Sequence, residues 1–138
     1  PPKPREPVRR AYTRCEPVCE GSPVPYQFVD RLTYLEIRFE GIVDEELVID
    51  DVVVTRLADV RRVLVDYSGV TEVGIDSMLL AATARLQEAA GVKVAVYAPR
   101  PAMFGLNRQV LQLAGVQEGV TASVFVDLGE ARSWLLAG

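Results

Sequence analysis

From Tyr26 onward, apolar and polar positions recur with a clear period, whereas residues 1–25 follow neither a helical nor a strand period. Tyr26 to Val29 predicts a short strand, Asp30-Arg31 a turn, and Leu32 to Phe39 a second strand. Within it Leu35, Ile37 and Phe39 alternate with Glu36 and Arg38, so one side of that strand is expected to face water. Gly41 is expected to break the chain. Asp44-Glu45-Glu46 then provides the acidic first turn that suits a helix N-terminus. Ile49, Val53, Leu57 and Val60 keep a three-to-four spacing, which predicts a helix from about Asp44 to Ala58. The β-branched run Val52-Val53-Val54 pulls locally toward strand.

Val63-Leu64-Val65 is a short apolar run of the kind found in strands buried on both faces. Ser68-Gly69 is expected to turn the chain. Asp76 and Ser77 can cap a helix carrying Leu79, Leu80, Thr83, Leu86 and Ala90, with Gly91 at its end. Val92, Val94 and Val96 predict a strand. After Pro99 and Pro101 comes a helix with Met103, Leu106, Val110, Leu113 and Ala114, stopped by Gly115. Val124-Phe125-Val126 is the last strand, and Asp127 with Glu130 opens a final helix whose apolar side holds Trp134 and Leu135. The order is β-β-α-β-α-β-α-β-α. It predicts an α/β fold with a mixed, mainly parallel sheet of four to five strands flanked by four helices.

Composition narrows the function. The 138 residues fit one domain, and 49% hydrophobic against 25% charged residues is an ordinary globular mix. Net charge is −4, so there is no basic field to hold nucleic acid. The chain has no histidine, which removes Ser-His and Cys-His nucleophile pairs, histidine bases and histidine-containing zinc sites. No Gly-rich phosphate loop is present, and no apolar run is long enough to span a membrane as a helix. No catalytic residues, metal or cofactor are therefore expected. A cytoplasmic setting is the default, because the start Pro1-Pro2-Lys3-Pro4-Arg5 lacks the pattern of a secretory signal. Arginine outnumbers lysine thirteen to two, a bias compatible with a bacterial genome.

Residues 1–25 hold seven of the nine prolines and carry net charge +2, which leaves −6 on the remainder. They read as an extended or polyproline-like arm, more readily a flexible leader than a docking segment. Cys15 and Cys19, four apart within it, are too few for a zinc set and read as unbound thiols. The expected domain is 26–138. Deleting the arm up to Ser22 should leave the melting temperature nearly unchanged; a large fall would show that it packs, for instance across a homodimer.

Several segments in this order resemble the STAS domain of bacterial anti-sigma-factor antagonists, and more closely its divergent, mostly uncharacterised branch. They are Phe39-Glu40-Gly41 with Asp44-Glu45-Glu46-Leu47, then Val63-Leu64-Val65-Asp66-Tyr67-Ser68-Gly69-Val70. Val94-Ala95-Val96-Tyr97-Ala98-Pro99, Phe104-Gly105-Leu106 and Val124-Phe125-Val126-Asp127 with Ala131 and Trp134-Leu135 follow. The resemblance covers Tyr26 to the C-terminus. It implies a STAS-like sheet and a non-enzymatic regulatory or scaffolding role with a protein partner. Antagonists of this fold carry Asp-Ser-Ser-Gly at the second helix, with a phosphorylated serine. Aligned without gaps from Val70-Thr71, this chain reads Gly74-Ile75-Asp76-Ser77 there and puts Ile75 at the phosphoserine position. A two-residue slip would align Asp76-Ser77 but replace the following Ser-Gly by Met78-Leu79.

Two clusters are candidate sites. Asp66, Ser68, Thr71, Asp76 and Ser77 gather where parallel strands end and a helix begins, the usual place for α/β binding sites. They are expected to form an interaction edge, with Asp76 more plainly a helix cap and Asp66 open to either role. Tyr67, Met78, Arg100, Met103, Phe104 and Arg108 form a second group. It would suit the lip of a small apolar ligand or lipid site, the alternative function, or a partner contact; ordinary packing of Phe104 with a solvated Arg108 is the safer reading. Gly105 within that helix suggests a close packing contact.

Overall fold

A hairpin opens the fold in the computed structural model, which describes residues 26–44, 55–57 and 59–137. Strand β1 (Tyr26–Asp30) pairs antiparallel with β2 (Leu35–Val43), Tyr26 opposite Phe39 and Asp30 opposite Leu35. The turn is wider than Asp30-Arg31. The Arg31 N–H donates to the Tyr34 carbonyl at 3.0 Å, and Leu32 lies fully exposed in the bend between them. The second strand therefore begins at Leu35, because Leu32 has no sheet neighbour to pack against.

The chain continues through β3 (Arg62–Val73), α1 (Ser77–Ala89), β4 (Lys93–Tyr97), α2 (Pro101–Ala114), β5 (Ala122–Phe125) and α3 (Leu128–Leu136). The five strands lie side by side in chain order, all parallel after the opening hairpin. Among the described residues there are three full helices. Residues 55–57 are helical and belong to the helix expected from Asp44 to Ala58. Residues 45–54 and 58 of that helix, the arm 1–25 and both cysteines lie outside the described residues. Leu57 and Val60 pack against the main core, as their spacing predicts.

Period-two alternation sends the strand residues to two faces. One face, with Ile37, Val63, Val94, Val96 and Val124, meets Ala81 of α1 and Leu111 and Ala114 of α2. The other is covered by α3, whose Ala131 and Leu135 pack on Leu64 and Ala95. The helix ends follow the sequence signals closely. Asp76 Oδ1 accepts from the Met78 N–H at 2.9 Å, and Asp127 Oδ1 accepts from the Glu130 N–H at 2.9 Å. Pro101 opens α2, and Gly115 closes it in the left-handed region at φ 73°. The last strand stops at Phe125, leaving Val126 exposed.

Two expected breaks are continuations instead. Gly41, at φ 75°, does not end β2, and Ser68-Gly69 does not end β3. The two strands run on together to the pairs Ile42–Glu72 and Val43–Val73, with register irregularities between Arg38 and Glu40 and between Gly41 and Ile42. These irregularities absorb the residues that look like turn formers. A Cβ on Gly69 would stand 3.2 Å from Glu40 Cγ and 3.3 Å from the Phe39 carbonyl oxygen, so glycine here lets the strands approach.

Candidate functional site

Strand β4 leaves β3 at the pair Asp66–Tyr97, whereas β2 stays paired with it as far as Val43–Val73. The C-terminal edge of the sheet thus carries a projecting two-stranded ribbon. Asp66 is not the end of its strand, as its sequence neighbourhood suggests. It is the last position of β3 with a strand partner on both sides. Its carboxylate is buried, and Oδ1 accepts from the Ser68 N–H at 2.7 Å. Ser68 and Thr71 sit exposed further along the ribbon.

The ribbon returns to the helical layer through Gly74, whose N–H donates to the Val43 carbonyl at 2.8 Å. Ile75 is buried, Asp76 caps α1, and Ser77 is its first residue, half-buried. The capping role that the sequence shares between Asp76 and Ser77 therefore belongs to Asp76. Ile42 and Met78 are exposed apolar side chains on the ribbon and at the head of α1. Glu40, Asp44, Glu72 and Asp76 are exposed acidic residues of the same stretches.

Arg100 joins this edge rather than the second cluster. Its NH1 donates to the Val70 carbonyl at 2.8 Å, supplying a hydrogen bond where β4 no longer flanks β3. The other members of the second group are divided between core and surface. Tyr67 is buried with its ring edge-on to Phe39 at 5.9 Å, and burial pushes its hydroxyl up to about 12. Met103 and Phe104 are half-buried against the main core. Arg108 stacks over Phe104 at 5.8 Å and donates from Nε to Glu118 Oε1 at 3.0 Å. Met78 stands away from the core, exposed.

Gly105 corrects an expectation. It is exposed, and a Cβ added there would meet nothing within 4 Å. No close contact requires glycine, so Gly105→Ala should stabilise the protein by roughly 0.5–1 kcal/mol in chemical denaturation. A loss of stability would show that the position is constrained.

The sequence pattern misses one polar group completely. Glu36 belongs to the expected wet side of β2, yet it is fully buried. Arg38 Nε donates to its Oε2 at 2.7 Å, Arg31 Nε donates to Oε1 at 3.2 Å, and Arg132 NH2 of α3 lies 3.6 Å from Oε1. Burial by itself would raise the pKa of Glu36. The hydrogen bonds and charges of Arg38 and Arg31 more than reverse that effect, so the carboxyl is held below its ordinary range. The alternation Leu35-Glu36-Ile37-Arg38 cannot show this, because the cover comes from a turn and from a distant helix.

Among the described residues, no group of three Cys, Asp or Glu side chains is placed to hold a metal ion, and no helix is long and apolar enough to cross a membrane. No family model and no curated protein matches the sequence. Solved structures do match in shape. An uncharacterised DUF3478-family protein from Shewanella loihica with a SpoIIAA-like fold superposes with a TM-score of 0.55 at 16% identity, over 80% of this chain and 91% of that one. The anti-sigma-factor antagonist SpoIIAA in its unphosphorylated form gives 0.52 at 17% identity, over 78% and 94%. The phosphorylated form of SpoIIAA, the Bacillus cell fate determinant, gives 0.52 at 20% identity, over 78% and 96%. The chain therefore has the SpoIIAA-like, STAS-type α/β fold.

Proposed function

We propose that this protein is a non-enzymatic, bacterial, cytoplasmic interaction module that binds a protein partner through the projecting ribbon and the head of α1. The supporting observation is the ribbon itself. It carries Ser68 and Thr71 exposed beside Ile42, and it leads directly to Asp76, Ser77 and the exposed Met78. Asp66 and Asp76 are engaged structurally, Asp66 by Ser68 and Asp76 by Met78, rather than poised against a nucleophile. Exposed apolar side chains among acidic residues suit a partner surface with apolar and basic groups.

SpoIIAA has phosphorylated and unphosphorylated forms, but the proposed module works without that switch. Ile75, aligned with the phosphoserine, is a buried apolar residue. Ser77 is one helical position past the cap, and a phosphate there would stand beside Asp76. The test is cross-linked capture of a partner from the native host, repeated with Thr71→Arg, Asp66→Ala and Ser77→Ala. Thr71→Arg should abolish capture and Asp66→Ala weaken it. Ser77→Ala should leave capture unchanged and shift stability by less than about 0.5 kcal/mol. Stoichiometric phosphorylation of Ser77 with Ser77→Ala locking binding on would overturn the reading. A stoichiometric apolar ligand in native mass spectrometry, with no edge-dependent partner, would also overturn it and establish the ligand-binding alternative.

A further inference from the structure

Arg31, Arg38 and Arg132 come from the hairpin turn, from β2 and from α3, yet all three guanidinium groups reach one carboxylate. Glu36 beneath them is sealed from solvent, while the arginines keep 39%, 39% and 37% of their side-chain exposure. Direct ion pairing is uneven at this point. One carboxylate faces three cations, each with five N–H donors. The hydrogen bonds to Glu36 use only the Nε groups of Arg31 and Arg38. Arg132 stands 3.6 Å away, outside hydrogen-bond distance, and its buried Nε–H has no acceptor. The other acids nearby are Asp66 and Glu40, whose fields reach Arg38, and Asp66 already accepts from Ser68.

A clamp between α3 and β2 would be complete with Arg132 hydrogen-bonded to Glu36. The observed arrangement instead leaves the arginine from α3 uncommitted, beside two others whose Nε groups are fixed and whose terminal nitrogens are not. We infer that this cluster is a binding site for a tetrahedral oxyanion of the phosphate type. Glu36 orients Arg31 and Arg38 from below, and Arg132 moves onto the bound anion. Planar guanidinium forks match the oxygens of such an anion in pairs, and more than one positive charge favours a dianion over a monoanion. The site lies on the sheet face that carries α3, whereas the proposed partner contact Met78 stands at the head of α1, the helix layer on the opposite face.

The test is a titration of the isotopically labelled full chain with inorganic phosphate at constant ionic strength, followed by nuclear magnetic resonance. Acetate serves as the monoanionic comparison. Saturable shifts are expected at the Nε–H groups of Arg31, Arg38 and Arg132 and at the amides of α3, with little response to acetate. Arg132→Gln and Arg31→Gln should each weaken phosphate binding roughly tenfold, the loss of one charge-assisted contact. Arg85→Gln on α1 should leave it unchanged. Should Arg132→Gln fail to fold, Arg31→Gln carries the comparison. Non-saturable shifts, an equal response to acetate, or unchanged affinity in Arg31→Gln would overturn the inference.

Discussion

Glu36→Gln is expected to destabilise the protein by about 3 kcal/mol at neutral pH, the low end of what breaking a buried ion pair costs, because the arginines left behind still reach water. The side chain is completely buried, and Arg38 and Arg31 both donate to it. Neutralising it leaves three cations facing each other above an amide. The pH dependence gives a sharper check. The folded protein holds this carboxyl below its ordinary value of 4.5, so the folded state binds the proton less readily than the unfolded chain does. Its contribution is therefore complete above that ordinary value and is lost as pH falls through the depressed folded value. Denaturant unfolding of wild type and variant should give a constant gap from neutrality down to near 4.5. Below that the gap should narrow as the wild type loses stability. A gap that persists unchanged in strong acid would mean that the charge on Glu36 is not what stabilises the fold.

Leu135→Ala should cost about 2–5 kcal/mol, the range for removing a buried leucine, and its effect should be concentrated in one helix. The core beneath α3 is small: Leu64, Ala95, Ala131 and Leu135, bordered by Tyr34, Tyr97, Phe125, Leu128 and Trp134. Two of its four central residues are alanines, too short to fill the space that Leu135 leaves. Polar contacts then carry more of the attachment. Lys93 Nζ donates to the Trp134 and Ala137 carbonyls, each at 2.8 Å, and lies 4.4 Å from the centre of the Trp134 ring. Hydrogen exchange should accelerate first in residues 128–136, while the amides of β3 and β4 stay protected. Uniform loss of protection would show that this small core and the main one unfold together.

The helix boundaries were legible in the sequence because their signals are local. Asp76, Pro101, Gly115 and Asp127 each act within a turn of their own position, and each sits at the helix end its chemistry predicts. The apolar runs Val63-Leu64-Val65 and Val94-Ala95-Val96 likewise marked the centre of a sheet with helices on both faces. The ribbon was not legible. Gly41, Ser68 and Gly69 are turn formers by composition, and only the pairing of β2 with β3 turns them into bulged strand. The sequence groups Arg100 with a lip, because its acceptor, the Val70 carbonyl, is left without a strand partner only by the place where β4 stops. Glu36 was hidden for a similar reason. Alternation tells which side a residue takes, but what covers that side comes from elsewhere in the chain. At the candidate edge, Asp76 and its cap were readable in advance, whereas the depth of Asp66 and the exposure of Ile42 depended on tertiary structure.

The ribbon has a consequence for how the protein behaves among copies of itself. Beyond Asp66, β3 has no strand on the side where β4 ran, and a bare strand edge is a template for uncontrolled growth of a sheet. Three features oppose that growth here. The irregular register spoils the even repeat that an incoming strand would need, and the guanidinium of Arg100 occupies the Val70 carbonyl. Glu72 adds charge next to the same stretch. The chain can thus present this edge to its surroundings through side chains while refusing it to another backbone, which separates selective recognition from aggregation along a single strand.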